Sequence, residues 1–372
     1  SLRDAFLRQS GGVPMLLPRM LPLGDLDEEE LFIVGWEESG IKFTGEIEVD
    51  LPEAISTIHR QLLLTKRILV LEGNRISVDQ AARLASELGR LLDQVQTEQL
   101  KFEDLHALVP DEYAQHWQVT LEFLEVITKF WPSILEEKGL IDPAERRNYI
   151  MKAQLSYWER RVPEYPVIAA GSTGSIPVTA DLLTLIASFP EGAVVLPGLD
   201  RSLNIKDVYD IETHPQYGLY RLLTKMDLTA SEVQKWPNTK INKAVKSKRK
   251  FAPASRTELI SNVMCPAEKV GDWRSLGSIP KEALQGVENI TCPGPDEEAG
   301  VVALILREVL EKANKTAALI TPDRRLARRV SNELGRWGIN IDDSAGIPLQ
   351  QTNSGSFLRL TAKLVSGNFL PI

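Results

Sequence analysis

The sequence predicts an α/β protein with parallel sheets and one large helical segment. Two short apolar runs, at 167–170 and 193–196, are joined by a segment with helical periodicity at 178–189, and a second alternating set begins near Val287. Continuous apolar strands joined by helices are typical of a parallel sheet that is covered on both faces. Between Pro52 and Arg161 the apolar residues recur every three or four positions, which predicts a stretch that is almost entirely helical.

Composition narrows the classes of protein that the chain can belong to. Its 372 residues, 43% hydrophobic and 25% charged, are typical of a globular protein with two or three domains. No apolar run approaches the roughly 18 residues that span a bilayer, and no basic start leads into an apolar stretch, so we expect neither membrane insertion nor a secretory signal. The net charge of −8 argues against a generally cationic coat, so any contact with DNA is expected to be local.

Two cysteines, Cys265 and Cys292, are too few for a disulfide framework or a four-cysteine zinc site. Two cytosolic thiols are the favoured interpretation, with a single disulfide as the alternative. The four histidines are scattered without the spacing of paired metal ligands. We therefore expect no metal site.

An acidic stretch runs from Asp25 to Glu53, most of it within the first 51 residues. We interpret it as a solvated surface loop rather than a partner site. A helical segment then covers 52–165. Ser77 is a predicted N-cap within it. Asp142 is another, because Pro143 follows at the first helical position and Glu145 stands three residues after Asp142, and this helix is expected to end near Arg161.

The loop after the first strand, Gly-Ser-Thr-Gly-Ser at 171–175, is the first candidate for chemistry in segment 166–285. Its backbone N–H groups and the hydroxyls of Ser172, Thr173 and Ser175 could hold an anion, but no lysine follows as a P-loop requires. A structural tight turn, a contact with a DNA or partner backbone, and ATP binding remain as interpretations. Asp200, at the end of the next strand, is more typical of a turn cap than of a metal ligand.

A run of basic residues between Lys235 and Lys250 contains no acidic residue and has Trp236 and Phe251 near its ends. It is the best electrostatic candidate for phosphate contacts, while a solvated flexible loop explains it equally well. The cations that we assign to DNA are Lys243, Lys246, Lys248, Arg249 and Lys250.

Segment 286–372 predicts a β-α-β-α-β unit, with strands at 287–291, 316–320 and 338–341 and helices at 296–311 and 322–336. Thr321 and Asp323 could cap the second helix, on which Arg324 and Arg328 share one face and Arg325 and Arg329 another, while Leu326 and Val330 should face the sheet. An exposed basic helix and a nucleic-acid or interdomain role are both compatible with this pattern. At 342–346 the sequence Asp-Asp-Ser-Ala-Gly favours a turn over a cation site.

Several stretches together resemble one known family, the AddB subunit of the AddAB double-strand-break repair helicase–nuclease, in its alphaproteobacterial form. They lie at 16–25, 169–177, 195–200, 214–219, 319–324, 337–339 and 342–346. The resemblance covers essentially the whole chain. It implies that the chain is an internal fragment of a longer subunit whose nuclease domain lies elsewhere.

The resemblance implies a degenerate superfamily 1 helicase-like fold, with two RecA-like domains and a large helical insertion. Segment 1–51 would be an N-terminal remnant, 52–165 the insertion, 166–285 the remainder of the first RecA-like domain, and 286–372 the start of the second. The family acts largely as a scaffold that guides single-stranded DNA and recognises the hotspot Chi. It works with an AddA-type helicase–nuclease subunit, in the cytoplasm and associated with the nucleoid.

By position, the loop at 171–175 stands where an active helicase has its acidic magnesium-binding motif, and it lacks carboxylates. We therefore expect a non-catalytic fragment, with ATP, magnesium and an iron–sulfur cluster bound only elsewhere in the complex. The DNA-binding candidates are the loop hydroxyls and basic residues named above, together with Thr321, Arg324 and Arg328. The alternatives are an active ATPase that uses this loop with Asp200, and a pure protein-interaction module.

Overall fold

A computed structural model describes residues 52–72, 75–101, 124–203, 208–235, 254–313 and 315–367, with short pieces among the first 20 residues. The predicted acidic loop lies almost wholly outside the described residues. The chain divides into two compact units, Ser1–Ala283 and Leu284–Ile372. The described part is mostly helical, with two small parallel sheets, and the RecA-like character of its domains stays a prediction.

Unit 1 begins with a helical part and continues with a strand-helix-strand part. Its elements, in chain order, are β1 (Glu53–Ala54), α1 (Thr57–Glu72), α2 (Val78–Thr97), a π-helix (Val126–Phe130), α3 (Trp131–Lys138), β2 (Leu140–Ile141), α4 (Pro143–Arg160), β3 (Val167–Ala170), α5 (Pro177–Ser188), β4 (Gly192–Val195), a 3-10 helix (Val208–Ile211), α6 (Tyr217–Lys225), α7 (Ala254–Val263) and a 3-10 segment (Ala267–Ser275).

The helical part confirms the periodicity argument for the described residues of 52–161. Ser77 caps α2 through a reciprocal pair of bonds, in which Gln80 N donates to Ser77 Oγ at 3.2 Å and Ser77 N donates to Gln80 Oε1 at 2.8 Å. Helices α1, α2 and α3 enclose an apolar core that includes Leu64, Ile68 and Trp131. The sequence did not predict that β1 and β2 pair in parallel beside this core.

Asp142 stands at the N-cap position of α4, but its side chain makes no capping bond, which corrects the prediction. The carboxylate is fully buried and accepts hydrogen bonds from Arg60 Nη1 at 3.4 Å, Gln96 Nε2 at 2.9 Å and Trp131 Nε1 at 2.8 Å. Arg60 also donates two bonds of 2.6 Å to Asp93. Since a buried charge requires a partner, the carboxylate turns inward and ties α1, α2 and α3 to the start of α4.

The strand-helix-strand unit predicted around α5 is confirmed. Strands β3 and β4 are parallel, in the register Val167↔Gly192 to Ala170↔Val195. Helix α5 connects them and buries Val178, Leu183 and Ile186 in a core that also contains Leu222 of α6. The loop at 171–175 and the turn at 196–203 follow the two strands, and we call them together the carboxyl edge of this sheet.

Unit 2 contains the two predicted helices, now α8 (Pro295–Leu310) and α9 (Arg324–Gly335), followed by a 3-10 turn (Leu349–Gln351) and α10 (Asn353–Ser366). Ala299 and Ala303 of α8 pack against the buried side chains of α9, which are Leu326, Val330 and Leu334. Leu326 and Val330 therefore face α8 rather than a sheet, which corrects the prediction.

The strands predicted at 287–291, 316–320 and 338–341 are wrong, because the described residues there have no strand pairing. Leu319 and Ile339 pack against the α8–α9 pair as extended chain, whereas Ile320 is 94% exposed. A strand needs a hydrogen-bonded neighbour, and the described part of unit 2 supplies none. Across the described ranges, no helix combines the length and apolarity needed to cross a bilayer.

We expect the buried ion pair of the helical part to be a major determinant of its stability. Arg60→Met would leave the Asp142 carboxylate buried without its cation, which should lower the free energy of unfolding by about 3–5 kcal/mol. Urea unfolding followed by circular dichroism measures this loss.

Arg83→Met is the matched control, because Arg83 pairs with Asp79 at 2.9 Å while both side chains are more than 70% exposed. Loss of such a surface pair should cost at most about 1 kcal/mol. Equal losses in the two variants would contradict a special role for the buried pair.

Candidate functional site

The loop at 171–175 is a tight turn at the carboxyl edge of the sheet. Gly171 and Gly174 have left-handed backbones, with φ of +83° and +63°. Gly171 N donates to Val195 O at 3.1 Å, and Ser172 Oγ accepts a bond from Gly174 N at 3.2 Å. Thr173 and Ser175 are exposed and Ser172 is half-buried, so the three candidate hydroxyls surround a turn that its own bonds already hold.

Packing against α6 fixes the position of this loop. A Cβ atom at Gly174 would lie 2.9 Å from Leu222 Cδ2, which is closer than van der Waals contact allows. A Cβ atom at Gly218, in the first turn of α6, would lie 3.9 Å from the Cβ atoms of Thr173 and Ser175, which is ordinary van der Waals contact. The glycine at 174 is therefore required by a close approach of loop and helix, which supports the tight-turn interpretation.

The Asp200 carboxylate has both oxygens committed to hydroxyl and amide donors. Oδ1 accepts from Ser202 N at 2.9 Å and Ser202 Oγ at 2.6 Å, and Oδ2 accepts from Ser261 Oγ of α7 at 2.5 Å. Burial raises the pKa of the Asp200 carboxyl, but the hydrogen bonds from Ser202 and Ser261 and the charge of His214 together lower it below its usual value. Asp200 thus caps a turn, as the sequence favoured.

Helix α6 holds the backbone of the same turn. Gln216 accepts a bond from Asp200 N at 3.0 Å and donates one to Gly198 O at 3.0 Å. Tyr220 Oη donates to Asp200 O at 2.7 Å and to Leu203 O at 3.0 Å. Burial and the nearby Asp200 charge raise the pKa of Tyr220 to about 12, so the phenol remains a donor at physiological pH.

A small groove of about 160 Å³ lies beside this turn. One wall is formed by the turn itself, and the others come from the end of α7 and the 3-10 segment Ala267–Ser275. The polar and aromatic side chains around it include Ser202, Ser261, Asn262, Cys265, Lys269 and Trp273. Sequence reasoning missed this groove, because Asp200 and Ser261 are 61 residues apart and no local motif joins them.

The basic candidates Lys243, Lys246, Lys248, Arg249 and Lys250 lie outside the described residues, as do Trp236 and Phe251. By chain connectivity the segment 235–250 runs from exposed Lys235 to a point four residues before Ala254, where α7 begins. We call residues 235–250 the basic segment. In sequence it ends shortly before α7, and the other end of α7 contributes to the groove.

The candidates of unit 2 surround the start of α9. Thr321 Oγ1 accepts a bond from Asp323 N at 3.0 Å, and Asp323 caps the helix by accepting from Arg325 N at 2.7 Å. Arg324 donates two hydrogen bonds to the Asp343 carboxylate, at 3.0 and 2.7 Å. Arg324 and Arg328 are both exposed, and Arg328 Nε donates to Arg324 O at 3.4 Å.

The residues 342–346 form a turn, with Gly346 N donating to Asp343 O at 2.9 Å and Ala345 N to Asp343 Oδ1 at 3.0 Å. The hydrogen bonds from Arg324 and from Ala345 N lower the pKa of the Asp343 carboxyl. This carboxylate is thus part of a turn and an ion pair, which agrees with the interpretation that the sequence favoured.

Comparisons with known proteins add no relative: no family model, no curated protein and no solved structure matches this chain. Within the described ranges, no group of three His, Cys, Asp or Glu side chains is arranged to hold a metal ion. Cys265 and Cys292 are both free thiols.

The Asp200 network predicts a loss of stability in acid. Because the folded-state pKa is lowered, its contribution is complete above the ordinary value of 3.8 and is lost as the pH falls through the lower folded value. Ser261→Ala removes one donor, so it should lower the melting temperature at neutral pH and reduce the further loss in acid. Thermal unfolding between neutral pH and about pH 3 tests this. A variant as stable as the wild type throughout would contradict the assignment.

Proposed function

We propose that this chain belongs to an AddB-like subunit of a helicase–nuclease that processes DNA double-strand breaks for recombinational repair. Its role there is that of a non-catalytic scaffold that guides single-stranded DNA and contributes to Chi recognition. The observation that carries the proposal is the carboxyl edge of the β3–β4 sheet. It carries the hydroxyls of Ser172, Thr173 and Ser175 on a turn held by its own bonds, while Asp200, its acidic residue, is bonded within the fold.

A working ATPase places a lysine on the nucleotide phosphates and carboxylates on magnesium at this edge. The loop at 171–175 contains neither residue type. The Asp200 carboxylate accepts bonds from Ser202 and Ser261 that hold the turn against α7. This arrangement supports a scaffold more than the rival ATPase. ATP with magnesium and the iron–sulfur cluster would then belong to other parts of the complex.

The basic segment supports a role in DNA binding. It concentrates cations without one acidic residue in a chain whose net charge is −8, as expected for local rather than general phosphate contact. Thr321, Arg324 and Arg328 provide a second candidate contact in unit 2. The hydroxyls of Ser172, Thr173 and Ser175 provide a third, since exposed hydroxyls and amides suit a phosphate backbone.

The partner in this proposal is an AddA-type subunit that supplies the motor and a nuclease, in the cytoplasm beside the nucleoid. The RecA-like assignment of 166–285 and 286–372, with 52–165 as the insertion, belongs to the same proposal. For 166–285 it is supported by the parallel pairing of β3 and β4 around α5.

Replacing the five cations Lys243, Lys246, Lys248, Arg249 and Lys250 by glutamine tests the proposal. The logarithm of the affinity for a labelled single strand should fall linearly with the logarithm of the salt concentration. The variant should reduce that slope by up to roughly 3.5, since each contact contributes about 0.7. Fluorescence anisotropy over a salt series measures both slopes.

A matched control removes five other cations, each paired with an acidic residue three or four positions before it: Arg83, Arg90, Lys129, Lys312 and Arg336. This variant should retain the wild-type salt slope. Strand binding that is absent at low salt, or insensitive to salt, would reject the proposal. Unchanged binding in the basic-segment variant would favour a protein-interaction module.

A further inference from the structure

The outward side of α9 is a strongly cationic surface. This helix buries Leu326, Val330 and Leu334 against α8, so the residues on its other sides face solvent. The exposed charged residues of the helix and its C-cap are all arginines: Arg324, Arg325, Arg328, Arg329 and Arg336. We call these five residues the arginine surface. In a chain with a net charge of −8, such a surface is a local feature.

Ion pairs within the fold account for three of the five arginines. The pairs are Arg324 with Asp343, Arg329 with Asp296 and Arg336 with Glu333. Among the residues that the structure describes, Arg325 and Arg328 have no carboxylate partner. Arg328 Nε donates a long bond of 3.4 Å to Arg324 O, so its two terminal nitrogens can donate elsewhere. The charges of Arg325 and Arg328 are therefore available to a partner.

These two charges do not stabilise α9. Arg325 is in the first turn, which contains no acidic residue, and a cation at that end of a helix opposes the helix dipole. Arg325 and Arg328 are three positions apart, and like charges at this spacing repel each other. Both charges thus lower the stability of the helix, and a bound anion would offset that effect.

The chemistry of the arginine surface favours a phosphate backbone over a protein or a membrane. Between Arg324 and Arg336, a range that the structure describes in full, no apolar side chain is exposed. Protein interfaces are built around an apolar core, and a helix that lies on a membrane needs a free apolar side. The planar guanidinium, by contrast, forms paired hydrogen bonds to phosphate oxygens.

We propose that Arg325 and Arg328 together bind the phosphate backbone of a nucleic-acid strand, whereas Arg324 serves the fold through Asp343. This inference rests on the proposed DNA-binding function and deepens it, because it assigns the contact in unit 2 to particular residues. Sequence reasoning selected Arg324 and missed Arg325, since the pairing with Asp343 is visible only in the fold. A contact to phosphates does not depend on the bases of the strand.

The double variant Arg325→Gln with Arg328→Gln tests the inference on two strands of equal length, an oligothymidine strand and an abasic strand with the same phosphates. Fluorescence anisotropy over a salt series measures the slope of the logarithm of the affinity. The variant should lower this slope by up to roughly 1.4, since each phosphate contact contributes about 0.7. The reduction should be equal for the two strands, because their phosphates are the same.

The matched control is Arg329→Gln with Arg336→Gln, which removes the same charge from the same region. Because these two arginines have carboxylate partners, the control should change the slope less than half as much. Arg325→Lys with Arg328→Lys keeps both charges and should keep the wild-type slope, since counterion release depends on charge.

Thermal unfolding separates a binding role from a structural one. Since the two charges repel each other and oppose the helix dipole, Arg325→Gln with Arg328→Gln should melt at or slightly above the temperature of the wild type. A clear fall in melting temperature would assign the two arginines to the fold and overturn the inference.

An unchanged slope in the glutamine variant, or an equal reduction in the control, would also overturn it. If the wild type still binds both strands with the expected dependence on salt, the scaffold function stands without this contact. If the wild type binds neither strand at low salt, the proposed function fails and the inference fails with it. Weaker binding of a catalytic partner subunit, with strand binding unchanged, would assign the arginine surface to protein contact and reject the phosphate site.

Discussion

The hydrogen bonds around Asp200 connect the turn after β4 with α6 and α7. The carboxylate ties the turn after β4 to α7, and the backbone of the same residue is held by Gln216 and Tyr220 at the start of α6. Three elements distant in sequence thus meet at one residue. Because hydroxyls and amides rather than a cation satisfy the carboxylate, the charge stays within the framework of the fold.

The segments around the carboxyl edge of the sheet have different roles. The loop at 171–175 packs against α6 through Gly174 and Leu222, so its shape is set by the protein and not by a ligand. The groove on the other side of the Asp200 turn is open and lined by Trp273, Asn262 and Lys269. The basic segment supplies charge close by in sequence. Under the proposed function, the fixed shape of the edge and the phosphate contacts thus come from different segments.

Local signals allowed much of the fold to be predicted from sequence. The cap at Ser77, the proline at 143 and the apolar runs of β3 and β4 act through neighbouring residues, and the structure contains the helices and the parallel pair that they predict. Asp142 shows where such reasoning stops. Its local pattern is that of a cap, but its partner Arg60 lies 82 residues away, and burial gives that distant cation the greater effect.

The strands predicted for unit 2 failed for a related reason. An apolar run of suitable length favours a strand but does not ensure one, because a strand forms only when another strand pairs with it. Ile320 is almost fully exposed, and no strand pairs with its run among the residues that the structure describes. The candidate site follows the same rule, since the loop at 171–175 was visible in sequence, whereas the groove required Ser202, Ser261 and Trp273 to meet through the fold.

On this interpretation, the carboxyl edge of the β3–β4 sheet is part of the structural framework and not a nucleotide site. A crystal soaked with manganese and a non-hydrolysable ATP analogue tests it directly, because anomalous scattering locates the ion. We expect no ion or triphosphate at 171–175 and an Asp200 carboxylate still bonded to Ser202 and Ser261. Manganese coordinated by Asp200, with a triphosphate over Gly174, would contradict it.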